Sequence, residues 1–130
     1  MKLNIKTKTG IQLIDITKEV RAAVKKIGIK NGLVHVFSMH TTGAITINEG
    51  ADPAVETDIL NFINELVPFN NTYKHMEGNS DAHIKVSLIG PSEIIPLENG
   101  ELVLGTWQAI YFCEFDGPRS RRVNVQVNHG

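Results

Sequence analysis

Between positions 75 and 83 the chain reads His-Met-Glu-Gly-Asn-Ser-Asp-Ala-His, which puts two imidazoles and two carboxylates within a short segment. In extended backbone, side chains two residues apart point the same way, so His75 falls with Glu77 and Asp81 with His83. Neutral imidazole nitrogen and carboxylate oxygen are both good ligands for zinc and other borderline ions, and such pairs suit a divalent metal. The same composition also describes an ordinary exposed loop with solvated histidines. His40 adds weight to the first reading. It stands with Thr41 and Thr42 between two apolar runs, and Glu49 closes the second run, so separate segments can converge on one pocket.

A further constellation is Glu114-Phe115-Asp116-Gly117-Pro118-Arg119-Ser120-Arg121-Arg122. Asp116, Gly117 and Pro118 mark a turn, so the acids entering it and the arginines leaving it share one end of a sheet. Guanidinium groups bind phosphate through fixed, paired hydrogen bonds and stay charged at any relevant pH, which makes a phosphorylated ligand a reasonable partner. The alternative is a surface network of Arg with Asp and Glu across adjacent strands, which contributes little energy.

These groups must be positioned by the elements between them. Lys2 to Lys8 alternates and Ile11 to Ile14 follows Gly10, which reads as two strands joined by a turn. Thr17 is placed to cap a helix with Val20, Ala23, Val24 and Ile27 on one face and Gly28 as its stop. Leu33 to Ser38 and Ala44 to Glu49 read as strands joined by a hairpin-like connection that carries His40, Thr41 and Thr42. Asp52 as cap and Pro53 at the first helical position open a second helix, with an apolar stripe of Val55, Ile59, Phe62, Ile63 and Leu66. His83 to Ile89 alternates as a strand, with Ile84, Val86 and Leu88 on one face and Lys85 among the polar residues of the other. Asn99-Gly100 is a strong hairpin signal between Glu93 to Leu97 and Glu101 to Leu104. Trp107 to Phe115 and Arg121 to Val127 complete the strands, with Trp107 read as core. His35, mid-strand with Leu33 and Phe37, reads as a satisfied core or interface histidine, and His129 as frayed at the terminus.

The sum is an α/β chain of α+β type, a single domain over residues 1–130 with antiparallel strands around two main helices. A length of 130 residues, 42% hydrophobic and 21% charged, suits a packed core and disfavours disorder. The net charge of -1 provides no long-range pull toward nucleic acid or an anionic membrane. Cys113 is the only cysteine, so no intrachain disulfide forms, and it reads as a small core hydrophobe. Without an apolar leader or a long apolar run, a cytoplasmic location is expected. Dinucleotide, P-loop, zincin, serine-hydrolase and CxxC motifs are all missing from the sequence.

Taken together, His40-Thr41-Thr42, Ile47-Asn48-Glu49, the 75–83 segment, Leu104-Gly105-Thr106-Trp107-Gln108 and Asp116-Gly117-Pro118-Arg119 resemble the YjbQ family in order and over nearly the whole chain. The resemblance implies a β-sandwich-like core flanked by helices, assembled as a homotrimer, with a polar cleft built from the histidine motifs. The activity attached to the family is that of a secondary thiamine-phosphate synthase, joining a pyrimidine diphosphate to a thiazole phosphate. On that basis the metal candidates are His40, His75, His83 and Glu77, for a divalent ion such as zinc or magnesium, with no organic cofactor. His40, His83, Glu49 and Asp81 are the catalytic candidates. Thr41, Thr42, Asn79, Lys85, Gln108 and Arg119 are the candidates for binding substrate phosphate. A metal- or phosphometabolite-binding trimer without dedicated catalysis, and a metal-assisted hydrolase, are the alternatives.

Overall fold

Strand periodicity resolves into two antiparallel sheets in a computed structural model that describes residues 1–129. The larger sheet contains β1 (Lys2–Lys6), β3 (Gly32–Ser38), β5 (Ser92–Glu98), β6 (Glu101–Leu102) and β8 (Ser120–His129), in the order β1-β8-β3-β5-β6. The smaller contains β2 (Gln12–Asp15), β4 (Gly43–Glu49) and β7 (Gln108–Glu114), in the order β2-β7-β4. The helices are α1 (Thr17–Ile27), α2 (Pro53–Leu66) and α3 (Ser80–Ile89). The mixed α+β, sandwich-like architecture expected from the sequence is present, with three helices where two were expected.

The smaller sheet is covered on both faces, which explains why β7 reads as a continuous apolar run. One face, with Ile45, Ile110 and Phe112, packs with α1 against Val34, Val36, Ile95, Val123 and Val125 of the larger sheet. The other face, with Ala44, Tyr111 and Cys113, packs under Ile63 of α2 and Ala82 and Val86 of α3. Burial pushes the Cys113 thiol up to about 12, so it is a core group and not a nucleophile.

Several local expectations are corrected. The 39–42 connection is not a hairpin, because β3 and β4 lie in different sheets, and the segment crosses between them. Thr17 is not the cap of α1 but its first residue; the Asp15 carboxylate accepts both its N–H and its hydroxyl, at 2.9 and 2.6 Å. The 83–89 segment is helix rather than strand. Asp81, Ala82, Lys85 and Val86 form its buried face, a helical spacing masked by the two charged members. Trp107 lies outside the core with 64% of its surface exposed, and Phe62 and Leu66 of the expected α2 stripe are also exposed. His35 stands half-buried on the outer face of β3 against Phe37, and His129 is the last paired residue of β8.

Two sequence signals are met in full. The Asp52 side chain accepts the Ala54 N–H at 3.0 Å with Pro53 opening α2. Asn99 and Gly100 take φ of 52° and 82° between the paired strands β5 and β6, the positive-φ pair a tight hairpin requires. Among the described residues no helix is long and apolar enough to cross a membrane.

Candidate functional site

The crossover from β3 to β4 brings His40, Thr41 and Thr42 to one end of the molecule, where β7 ends, β8 begins and α3 starts. Its backbone is tied down by Ser38, whose hydroxyl donates to the Gly43 carbonyl at 2.7 Å and accepts the His40 N–H at 3.3 Å. A side chain at Gly43 would run into the Phe112 ring, so only glycine lets the crossover lie this close to the core.

His40, Thr41, Thr42, Glu77, Asn79, His83, Asp116, Arg119 and Arg121 line a polar cleft of about 230 Å³. His40, Thr41 and His83 also border a larger cleft of about 670 Å³, whose other walls include Phe37, Met39, Val86 and Pro91. The two imidazoles therefore stand where a polar recess meets an apolar one.

His40 is the more constrained. Its Nε2 accepts the Arg122 N–H at 2.8 Å, which leaves the ring proton on Nδ1. Burial, and then the positive charge of Arg121, hold its pKa below the ordinary value of 6.5. His40 is thus a neutral hydrogen-bond donor at pH 7. The His83 ring meets the His75 ring edge to face, with centroids 5.2 Å apart, and His75 Nε2 lies 3.9 Å from Glu77 Oε2.

The arginines are held differently. Arg119 is half-exposed and donates from Nε to the Asp116 carbonyl at 2.6 Å and from Nη2 to the Asp116 carboxylate at 2.9 Å. That carboxylate also accepts the Asn79 amide at 2.8 Å, which fixes the amide's orientation and leaves Asn79 Oδ1 buried with no partner among the described residues. Arg121 is 3% exposed and forms a two-point pair with Glu114, which is 0% exposed. Burial alone would raise the Glu114 pKa. Hydrogen bonds from Arg121, the Asp116 N–H and Thr7 outweigh it and hold the carboxyl below its usual value.

Of the residues expected at the site, seven line this cleft: His40, Thr41, Thr42, Glu77, Asn79, His83 and Arg119. His75 adjoins it through His83. Four lie elsewhere. Asp81 and Lys85 are 2% and 1% exposed and pair at 2.9 Å beneath α3, with Lys85 also donating to Asn64 at 2.8 Å. Spacing of four on a helix joins them and turns both inward, so neither reaches a ligand in the cleft. Glu49 and Gln108 pair in register at the far end of β4 and β7, a seven-residue strand away, or roughly 20 Å. Gln108 there accepts the Gly105 N–H at 2.7 Å.

The sequence places Glu114, Asp116 and Arg121 in the acid–arginine turn constellation, but of that constellation only Arg119 is named there as a binding residue. A signal was available: in β8 Arg121 shares the inward register of Val123 and Val125, and a charge at an inward strand position calls for a partner.

The metal candidates do not fit a metal ion in this arrangement. The Nε2 lone pair of His40 is already used by the Arg122 N–H, and its other nitrogen carries the proton. Among the described residues no three His, Cys, Asp or Glu side chains converge on a common point.

The family model described as UPF0047 protein YjbQ-like matches residues 1–130. The chain belongs to the YjbQ/UPF0047 family. A UPF0047 protein of Methanocaldococcus jannaschii is 48% identical over 126 residues, covering 97% of this chain and 91% of that one. The YugU protein of Bacillus subtilis is likewise 48% identical, covering 96% of each. Among solved structures, an uncharacterised conserved YjbQ/UPF0047 protein of Clostridium acetobutylicum is 52% identical with a TM-score of 0.96, covering 98% of this chain and 99% of that one. A YjbQ-like protein of unknown function from Sulfolobus solfataricus is 35% identical with a TM-score of 0.95, covering 100% and 96%. This YjbQ-family chain thus shares its fold with proteins from bacteria and archaea.

Proposed function

We propose that this protein is an enzyme acting on small phosphorylated metabolites, and that its reaction is of the thiamine-phosphate-synthase type. The observation that carries the reading is the meeting of a polar, arginine-lined cleft with an apolar one at His40 and His83. In that reaction the bond from the pyrimidine methylene carbon to diphosphate breaks, and a bond from that carbon to the thiazole nitrogen forms. Departing diphosphate needs charge neutralisation, and Arg119 with the His40 Nδ1–H are suited to provide it. The walls of Phe37, Met39, Val86 and Pro91 suit the rings and exclude water from the cationic intermediate.

A second reading is a phosphometabolite-binding protein without dedicated catalysis. It is favoured by the placement of Glu49 and Asp81 outside the cleft, which removes the expected catalytic carboxylates. Turnover of pyrimidine diphosphate with thiazole phosphate by wild type, His83→Ala and Arg119→Ala separates the two. Activity that is unchanged in both variants would assign the turnover to a contaminant or another site.

In the same reading the chain assembles with copies of itself as a homotrimer. Its support is the outer face of the larger sheet, where Leu33, Phe37 and Ile94 are 47%, 38% and 59% exposed beside His35. Light scattering is expected to give about three times the 14.4 kDa chain mass, reduced to that mass by Ile94→Glu. A monomeric wild type would contradict the assembly.

A further inference from the structure

We propose that the buried Glu114–Arg121 pair is the protein's phosphoryl receptor, with Arg121 Nη1 as the contacting group and Thr7 as the residue that positions it. This rests on the phosphorylated-ligand reading above and names the group that reading needs first.

A carboxylate and a guanidinium are withdrawn from water here almost completely, at 0% and 3% exposure. Burying such a pair is a poor way to stabilise a fold, because apolar residues of similar volume pack as well or better. Arg121 nonetheless borders the polar cleft together with Thr41, Thr42, Asn79 and Arg119. Its hydrogen bonds show what is left over. Nε donates to Glu114 Oε1 at 2.7 Å, and Nη2 donates to Glu114 Oε2 and to the Thr42 hydroxyl. Nη1 has no hydrogen-bond partner among the described residues. The Glu114 carboxylate is fully occupied by Arg121, the Thr7 hydroxyl at 2.8 Å and the Asp116 N–H at 3.0 Å, so the guanidinium is held rigidly from behind.

The same Thr7 oxygen accepts the Arg119 N–H at 2.8 Å, so one hydroxyl sets the position of both arginines. Arg119 has likewise committed Nε and Nη2, to Asp116. Arg121, whose Nη2 already serves two acceptors, therefore offers only Nη1, whereas Arg119 keeps Nη1 and the second N–H of Nη2. A planar carboxylate pairs best with two nitrogens of one fork. Donors from two separate arginines, the lone Nη1 of Arg121 and the free end of Arg119, with the Thr41 hydroxyl and the His40 Nδ1–H, suit the diverging oxygens of a tetrahedral phosphoryl group.

The test is calorimetric titration of the full chain with inorganic phosphate, and with acetate as the planar anion. Wild type is expected to bind phosphate in preference to acetate. The double variant Glu114→Gln, Arg121→Met removes both charges together and is expected to melt no lower than wild type while binding phosphate at least about tenfold more weakly. Thr7→Val is expected to weaken binding and Thr7→Ser to restore it, a rescue that a purely structural role would not give. A folded double variant that binds phosphate like wild type overturns the proposal. Should that variant fail to fold, Arg121→Lys decides, since lysine keeps a charge opposite Glu114 but has no Nη1; unchanged binding then overturns it. A wild type that binds no phosphate sinks the phosphorylated-ligand reading itself, an outcome distinct from retained binding in the variants.

Discussion

Arg121→Met on its own is expected to destabilise the protein by about 3–5 kcal/mol in urea denaturation, because it leaves the Glu114 carboxylate buried without its counter-charge. Thr7 and the Asp116 N–H remain as donors to that carboxylate, and two neutral donors do not replace a guanidinium. The pH dependence should change as well. With its folded-state pKa depressed, Glu114 contributes stability that is present above its ordinary value of 4.5 and lost as the pH falls through the folded-state pKa. In the variant that contribution disappears, so its stability should fall less steeply between neutral and acid pH. A loss under about 1 kcal/mol, the size expected of an exposed pair, would show that the two charges are not coupled as the structure has them.

His83→Ala and Arg119→Ala are each expected to lower turnover by roughly a hundredfold to a thousandfold, the usual effect of removing one group that stabilises developing charge. The two should differ in character. Arg119 is already oriented by Asp116, so its loss removes charge neutralisation at the leaving phosphate and falls on kcat. His83 borders both clefts, so its loss is expected to affect kcat and KM together. Glu49→Gln and Gln108→Ala serve as comparisons, since both residues sit at the opposite end of their strands.

The parts of the fold that could be read in the sequence are those where one residue type answers a local backbone need. Asn99-Gly100 supplies two positive φ values, and Asp52-Pro53 supplies a cap and a first helical residue without a needed N–H. The helix α3 was hidden because two of its inward residues, Asp81 and Lys85, are charged. Removing them from the apolar count leaves Ile84, Val86 and Leu88, which mimic a strand. The pair satisfies itself only once the chain is helical, so the period cannot be recognised without the partner.

The site was legible in the same partial way. His40, His83 and Arg119 were found through chemistry-bearing types near turns, and all three border one cleft. Glu49 and Gln108 belong to equally polar motifs, but strand direction carries them to the other end of β4 and β7, and direction is not encoded in a short motif. Arg119 and Arg121 share one turn constellation in the sequence, and the place of Arg121 among the inward residues of β8 is the sign that distinguishes it as a held charge.

On the proposed function, phosphorylated ligands bind in the cleft between His40, His83 and the two arginines. Titrating the protein with inorganic phosphate while following the imidazole resonances of its five histidines by NMR tests this most directly. Shifts are expected at His40 and His83, a smaller one at His75, and none at His35 or His129. Shifts confined to His35 or His129, or an absence of any shift at saturating phosphate, would contradict it.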